Sequence, residues 1–410
     1  PVMTRRHLMT TLSGLLLTLA VTLTAVAQPH DARWVTAWTM SPSTLLPSPD
    51  VEDAFDNQTL RQIVRVTAAG ESIRLRVSNA HGNKPLAIGA MTVAQHAGDG
   101  ALLPGTLQEV TFSGESHFNV ARGAVAISDP VALNVSDLDE LAVSIFLPQG
   151  SGNATTHRVG LQTNYLLAGD ATTELQLPDG AETFEVWHFL RAVDVLADEA
   201  VSTIVTVGDS ITDGVGSTLN ANLRWPDQFL TRLRADSDMP QYAIANAGIS
   251  GNRVLHERAE IFGENLQARF ERDVLALSGV SHIVLLEGIN DIGMSVSLAT
   301  DQEVTPEQII AGYRQIIARA KARDITIIGA TLTPFAGAGY YTEEGEAKRQ
   351  QVNAWIRSSG AFDAVIDFDR AMGDPQNPGR LPASFTSDNL HPNDAGYKAM
   401  ADSIDLGIFR

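Results

Sequence analysis

The strongest constraint on how this 410-residue chain folds is a change of rhythm near residue 200. Up to about 198, apolar residues recur at every second position in short runs that end in small or turn-forming residues. "TLRQIVRVTAAG" and "ESIRLRVSNAHG" have this form, and "AIGAMTVAQH", "VARGAVAISDPVALNV" and "ELAVSIFLPQG" continue it. A period of two belongs to strands with one buried face. Many such strands, spaced by Gly, Asn, Asp and Pro, predict an all-β sandwich or jelly-roll domain over 28–198. After Ser202 the pattern becomes strand, helix, strand: "STIVTV", a helix near 225–235, "QYAIAN", a helix near 264–276, and "SHIVLLEG". A helix over 306–322, "ITIIGATL", a helix near 343–358, "DAVIDF" and a last helix after Pro392 complete it. This repetition predicts a three-layer α/β/α domain over 199–410, a parallel sheet with helices on both faces. "LADEA" at 196–200 reads as the connector.

A parallel sheet of this kind gathers ligands at the carboxyl ends of its strands. Four short stretches meet that condition. Ser210 follows "TIVTV", "NAGISGN" (246–252) follows "QYAIAN", "GIND" (288–291) follows "SHIVLLE", and "DNLHP" (388–392) precedes the last helix. They supply a serine, a glycine, an asparagine, and an Asp and His three apart. Those are the parts of a serine acyl-transfer site: nucleophile, oxyanion donors, base and orienting acid. Each alone has an ordinary reading. Ser210 suits a turn or helix cap, Asn290 a turn, Asp388 a cap, and His391 a loop. Their joint appearance at successive strand ends favours the chemical reading. The G-x-S-x-G elbow of another serine-hydrolase class is excluded, because Gly208 and Ser210 match it but position 212 is Thr.

With these four blocks in order over roughly 200–410, the chain resembles the SGNH hydrolases, also called GDSL esterases/lipases. The stretches "RWVTAWTMSPS" and "RVSNAHGNKPLAIGAMTVA" also look like the β domain that precedes the hydrolase domain in some exported members. The resemblance implies that Ser210 is the nucleophile and that its own N–H is one oxyanion donor. It gives Gly251 a second backbone N–H and Asn290 a side-chain amide as further donors. His391 would be the base, and Asp388 would orient it. Asp209, Asp213 and Asp291 read as structural acids that bond local backbone, and His256 as a surface residue. Tyr340 and Tyr341 are candidates to flank the site. The loops 257–266, 293–305 and 334–345 follow strands and are expected to frame it.

Composition narrows the remaining choices. The net charge of −19 argues against nucleic acid or an anionic membrane surface as the main partner. The absence of cysteine excludes disulfides, Cys-ligated zinc and a thiol nucleophile. The ten histidines show no HExxH pair, and no cofactor is expected. From Met3, paired arginines, a Leu-rich stretch and "AVA" at 25–27 read as a cleavable signal peptide over 1–27, compatible with twin-arginine export. A secreted or periplasmic protein, not stably inserted in a membrane once the signal is removed, is therefore expected. The favoured function is hydrolysis of small-molecule or polymer-linked carboxylic esters of short to medium acyl chains, through an acyl-Ser210 intermediate. The alternatives are a carbohydrate acetylesterase acting on plant or microbial polysaccharide and a catalytically inactive glycan-binding protein. The intact set of site residues argues against the last. Oligomeric state is not legible in the sequence.

Overall fold

The computed structural model describes residues 32–44 and 53–410, so the signal peptide expected at 1–27 lies outside the described residues. Five strands, Ser202–Gly208, Tyr242–Gly248, Val280–Leu286, Thr326–Ala330 and Ala364–Ile366, pair in parallel. In chain order their spatial sequence is second, first, third, fourth, fifth. The run "STIVTVG" is buried from Thr203 to Gly208, as expected of a strand covered on both faces. Helices Trp225–Ala235 and Asp394–Ser403 pack together, as do Leu266–Phe270, Pro306–Lys321 and Glu343–Ser358. The Pro306 helix opens on a capping box, with Thr305 and Gln308 satisfying each other's free N–H groups. Leu266–Phe270 continues as a π-helical turn, Glu271–Leu275, so the helix predicted near 264–276 is present with a widened second half.

This strand order fixes where a site can form. The connections after the first and third strands leave in opposite directions, which opens a crevice at their carboxyl ends. Ser210 follows the first strand and Asn290 follows the third.

The N-terminal region is built mainly of antiparallel strands. One sheet orders Ala32–Thr39, Leu190–Asp198, Ile73–Ser78 and Val125–Ile127. A second includes Asn164–Ala168, Gln58–Arg65, Glu140–Leu147 and Ala90–Gln95 as neighbours. The two share a core that includes Val35, Leu60, Val64, Leu75, Leu141 and Val193. The alternation read in "TLRQIVR" has the right faces, but its polar face is not in water. Arg61 is fully buried, and its guanidinium donates to Ser144 Oγ and to the carbonyls of Gly100, Ala171 and Glu174. A charge can be buried at that depth only when its donors are paired in this way.

The connector is shorter than "LADEA" suggests. Leu196 and Ala197 still pair with Trp34 and Arg33, and only a turn at 199–201 separates Asp198 from the next strand. The two parts are consequently in intimate contact. Thr36 N–H donates to Thr203 Oγ1, Thr67 Oγ1 to the Ile244 carbonyl, and Ser41 Oγ to the Ala247 carbonyl. Ala243 of the parallel sheet is buried within the core of the N-terminal sheets.

Candidate active site

Ser210 opens a single helical turn, Ser210–Asp213, immediately after the first strand. Asp209 caps it, accepting from the Ile211 N–H at 3.0 Å. Gly208 is required by contact: a Cβ there would lie 2.2 Å from the Leu286 carbonyl oxygen and 2.5 Å from Thr212 Oγ1. Thr212 is therefore part of what shapes the turn, at the position where an elbow would carry glycine. Ser210 is only 4% exposed.

The loop before the last helix brings His391 over Ser210, 181 residues away in sequence, with Nε2 2.8 Å from Ser210 Oγ. Its Nδ1 lies 2.6 Å from Asp388 Oδ2. Asp388 Oδ1 accepts the N–H groups of Leu390 at 2.9 Å and His391 at 2.8 Å. Thr386 Oγ1 braces the same turn, accepting from the N–H groups of Asp388 and Asn389. Burial pushes the Asp388 carboxyl up, but these N–H groups and the His391 ring outweigh it and hold it at about 2. A carboxylate there places the imidazole proton on Nδ1 and leaves Nε2 free to accept from Ser210.

The other two predicted residues come from the ends of the second and third strands. Gly251 has φ +83, and a Cβ on it would lie 2.1 Å from the Phe262 ring, so both backbone and neighbour require glycine. Asn290 lies in the helical turn Ile289–Gly293 and is 3% exposed. Its Nδ2 donates to the Asn252 carbonyl at 3.1 Å, which leaves one amide N–H for another acceptor. Its Oδ1 accepts from the Tyr340 hydroxyl at 3.2 Å. The Asn252 carbonyl, which can only accept, fixes which side of the Asn290 amide carries the donors, and the Tyr340 hydroxyl completes the other side. The N–H groups of Ser210 and Gly251 have no protein acceptor among the described residues.

The acids beside these residues do more than the sequence indicates. Asp209 bonds local backbone as expected. Asp291 instead accepts from Val254 and Leu255, 37 and 36 residues away, and so anchors the loop beyond Gly251. Asp213 accepts from the Ser250 N–H at 2.7 Å and meets His157 of the N-terminal region at 2.9 Å. Local bonding is thus corrected for both, because the folded sheet brings other strand ends closer than sequence neighbours. His256, expected at the surface, is half-buried. Burial raises Asp209 to about 7 and Asp291 to about 6, and it raises Glu287 well above the usual carboxylate range.

Arg269, which carries no signature in the sequence, is fully buried beneath these turns. It donates to the carbonyls of Gly208 and Ala247 and to Asn252 Oδ1. One guanidinium therefore ties the ends of the first two strands to the Gly251 loop. Tyr340 and Tyr341 pack with Phe335, Ile289 and Leu390 in a small apolar cluster next to His391.

Comparison with known proteins places these residues in context. Residues 206–399 match the model of the GDSL-like Lipase/Acylhydrolase family. No curated protein sequence matches the chain. Among solved structures, similarity extends to a GDSL-like lipase from Bacteroides thetaiotaomicron, 22% identical over 50% of this chain and 87% of that one, with a TM-score of 0.38. A catalytic mutant of an acetylxylan esterase from Geobacillus stearothermophilus is 23% identical over 49% of this chain and 91% of that one, TM-score 0.38. An alpha/beta hydrolase enzyme from the metagenome of Lake Arreo is 25% identical over 49% of this chain and 92% of that one, TM-score 0.38.

Proposed function

Since residues 206–399 belong to the GDSL-like lipase/acylhydrolase family, we propose that the chain is a serine esterase that hydrolyses carboxylic esters of short to medium acyl chains. The observation that carries this reading is the unbroken chain of contacts from Ser210 Oγ through His391 to Asp388 at the crevice of the sheet. In the proposed reaction His391 Nε2 takes the Ser210 proton as Oγ bonds to the ester carbonyl carbon. The carbonyl oxygen becomes an oxyanion, for which the N–H groups of Ser210 and Gly251 and the Asn290 amide are the donors; each is worth about 3 kcal/mol when well aimed. The tetrahedral intermediate collapses, His391 passes its proton to the departing alkoxide, and an acyl-Ser210 ester remains. Water then attacks that ester with His391 again as base, which releases the acid and restores Ser210.

Ser210 is only 4% exposed, which favours compact acyl groups over long chains. Turnover of p-nitrophenyl acetate, butyrate and octanoate by the wild type and by Ser210→Ala tests the proposal. Activity should decline toward octanoate, and Ser210→Ala should lose at least about 1,000-fold in kcat. A Ser210→Ala protein that keeps near wild-type turnover would overturn the assignment. Export to the periplasm or medium is proposed from residues 1–27 alone, and fractionation of cells that express the chain tests it.

A further inference from the structure

We propose that His157, contributed by the N-terminal β region, is a positioning residue of the hydrolytic site, acting through Asp213 on the Ser250–Gly251 backbone. This inference rests on the esterase reading above. His157 lies 56 residues before Asp213 and is 4% exposed, closed off by Trp187, whose ring stacks at 5.8 Å. Its Nδ1 faces the Ser41 carbonyl at 2.9 Å, which can only accept, so Nδ1 carries a proton. Its Nε2 faces Asp213 Oδ1 at 2.9 Å. Both ring nitrogens thus face acceptors, and a protonated imidazole beside an ionised Asp213 satisfies both.

Asp213 is the element that passes the constraint on. It is the last residue of the turn that Ser210 opens, and its second oxygen accepts the Ser250 N–H at 2.7 Å. Ser250 directly precedes Gly251. One carboxylate therefore spans three parts of the protein: the nucleophile turn, the proposed oxyanion loop and the N-terminal region. Arg224 is the other charged group facing this pair. It donates from Nε to the Asp213 carbonyl and from Nη2 to the Gly160 carbonyl, and it leans on Asp227, which in turn pairs with Arg65. The segment after His157 is thereby pinned, and the exposed Arg158 lies over Phe262, the ring that covers Gly251.

His157 is not placed to touch a substrate. The cavity beside it, lined by Trp38, His157, Trp187, Asp213, Arg224 and Asn246 among others, holds about 50 Å³. That is room for a few waters and not for an ester. An effect of His157 on catalysis must run through position. Oxyanion donors act on the transition state more than on the bound ester, so losing their alignment lowers kcat while KM changes little.

The experiment measures kcat and KM for p-nitrophenyl acetate, per active serine titrated with a p-nitrophenyl phosphonate, in the full-length protein. His157→Leu removes both hydrogen bonds and should lower kcat about 10- to 100-fold, with KM within about threefold of wild type. His157→Gln keeps an N–H for Asp213 and should recover most of that loss. A folded His157→Leu with kcat within about twofold of wild type overturns the proposal, and so does a loss that His157→Gln leaves unrepaired. If His157→Leu does not fold, Asp213→Asn, which keeps the size of the side chain, decides: a fall in kcat at constant KM supports the role, and unchanged kcat refutes it. Unaffected variants of an active wild type refute the positioning role alone. A wild type that hydrolyses no ester refutes the reading of the site beneath it.

Discussion

The two oxygens of Asp388 have different work, and that difference makes a substitution test sharper than simple deletion. Oδ1 is committed to the N–H groups of Leu390 and His391, while Oδ2 faces the His391 ring. In Asp388→Asn the amide oxygen must take the Oδ1 position, because two N–H donors point there. The amide nitrogen then points its hydrogens at Nδ1, and the proton of a neutral imidazole moves to Nε2, where it cannot accept from Ser210. Asp388→Asn should therefore lose about 1,000- to 10,000-fold in kcat/KM. Asp388→Ala, which imposes no tautomer, should lose less than Asp388→Asn. Equal losses in the two variants would contradict this reading of the loop. Tyr340→Phe, which removes one neutral hydrogen bond to Asn290, should lower kcat about 3- to 10-fold with little change in KM.

At the level of elements, the site is three strand ends and the loop before the last helix, held together by residues that are not themselves reactive. Gly251→Ala tests how tight that arrangement is. The new methyl meets Phe262 in a backbone conformation that L side chains rarely adopt, so the loop must move. A kcat loss of about 100-fold or more is expected, with a lower melting temperature in the same preparation. An unchanged kcat would show that Gly251 is not aimed at the reacting oxygen. The sequence made the alternation of strands and helices legible, and with it the strand ends that precede Ser210, Gly251 and Asn290, because strand ends are set by local pattern; Asp388 and His391 are legible only through the "DNLHP" block before the last helix. It did not reveal His157, Arg269 or the partner of Tyr340. Those contacts join residues 17 to 61 apart in the chain, and no local period encodes them. The connector was misplaced for a related reason. Leu196 and Ala197 look like the start of a linker but pair with the strand Ala32–Thr39.

The whole molecule carries an uncommon pH signature. Burial drives Asp209 up to about 7, against the Ile211 N–H and Arg269, which pull it down; Asp291 is driven to about 6 in the same way. An unfolded aspartate loses its proton near about 4. Between those values the folded protein holds protons that the unfolded chain does not, so stability falls as pH rises through that window. Asp388 acts in the opposite sense. Its folded value of about 2 gives stability that is present above the unfolded value and lost as pH falls. Burial also holds His188 down at about 3, which adds stability as pH rises toward the unfolded histidine value of about 6.5. The decline from the buried carboxyls is partly offset below that pH, so the melting temperature should fall most clearly from about pH 6.5 toward pH 8. Asp209→Asn, which can still cap the Ser210 turn, should flatten that decline; an equally steep decline would remove Asp209 from the explanation. The central claim is that one serine carries all turnover in this two-part molecule. Intact-mass measurement after treatment with a p-nitrophenyl phosphonate tests it most directly. One adduct per chain, mapped to Ser210 and matching the loss of ester hydrolysis, is expected. Full inactivation with Ser210 unmodified, or undiminished hydrolysis with Ser210 fully modified, would contradict it.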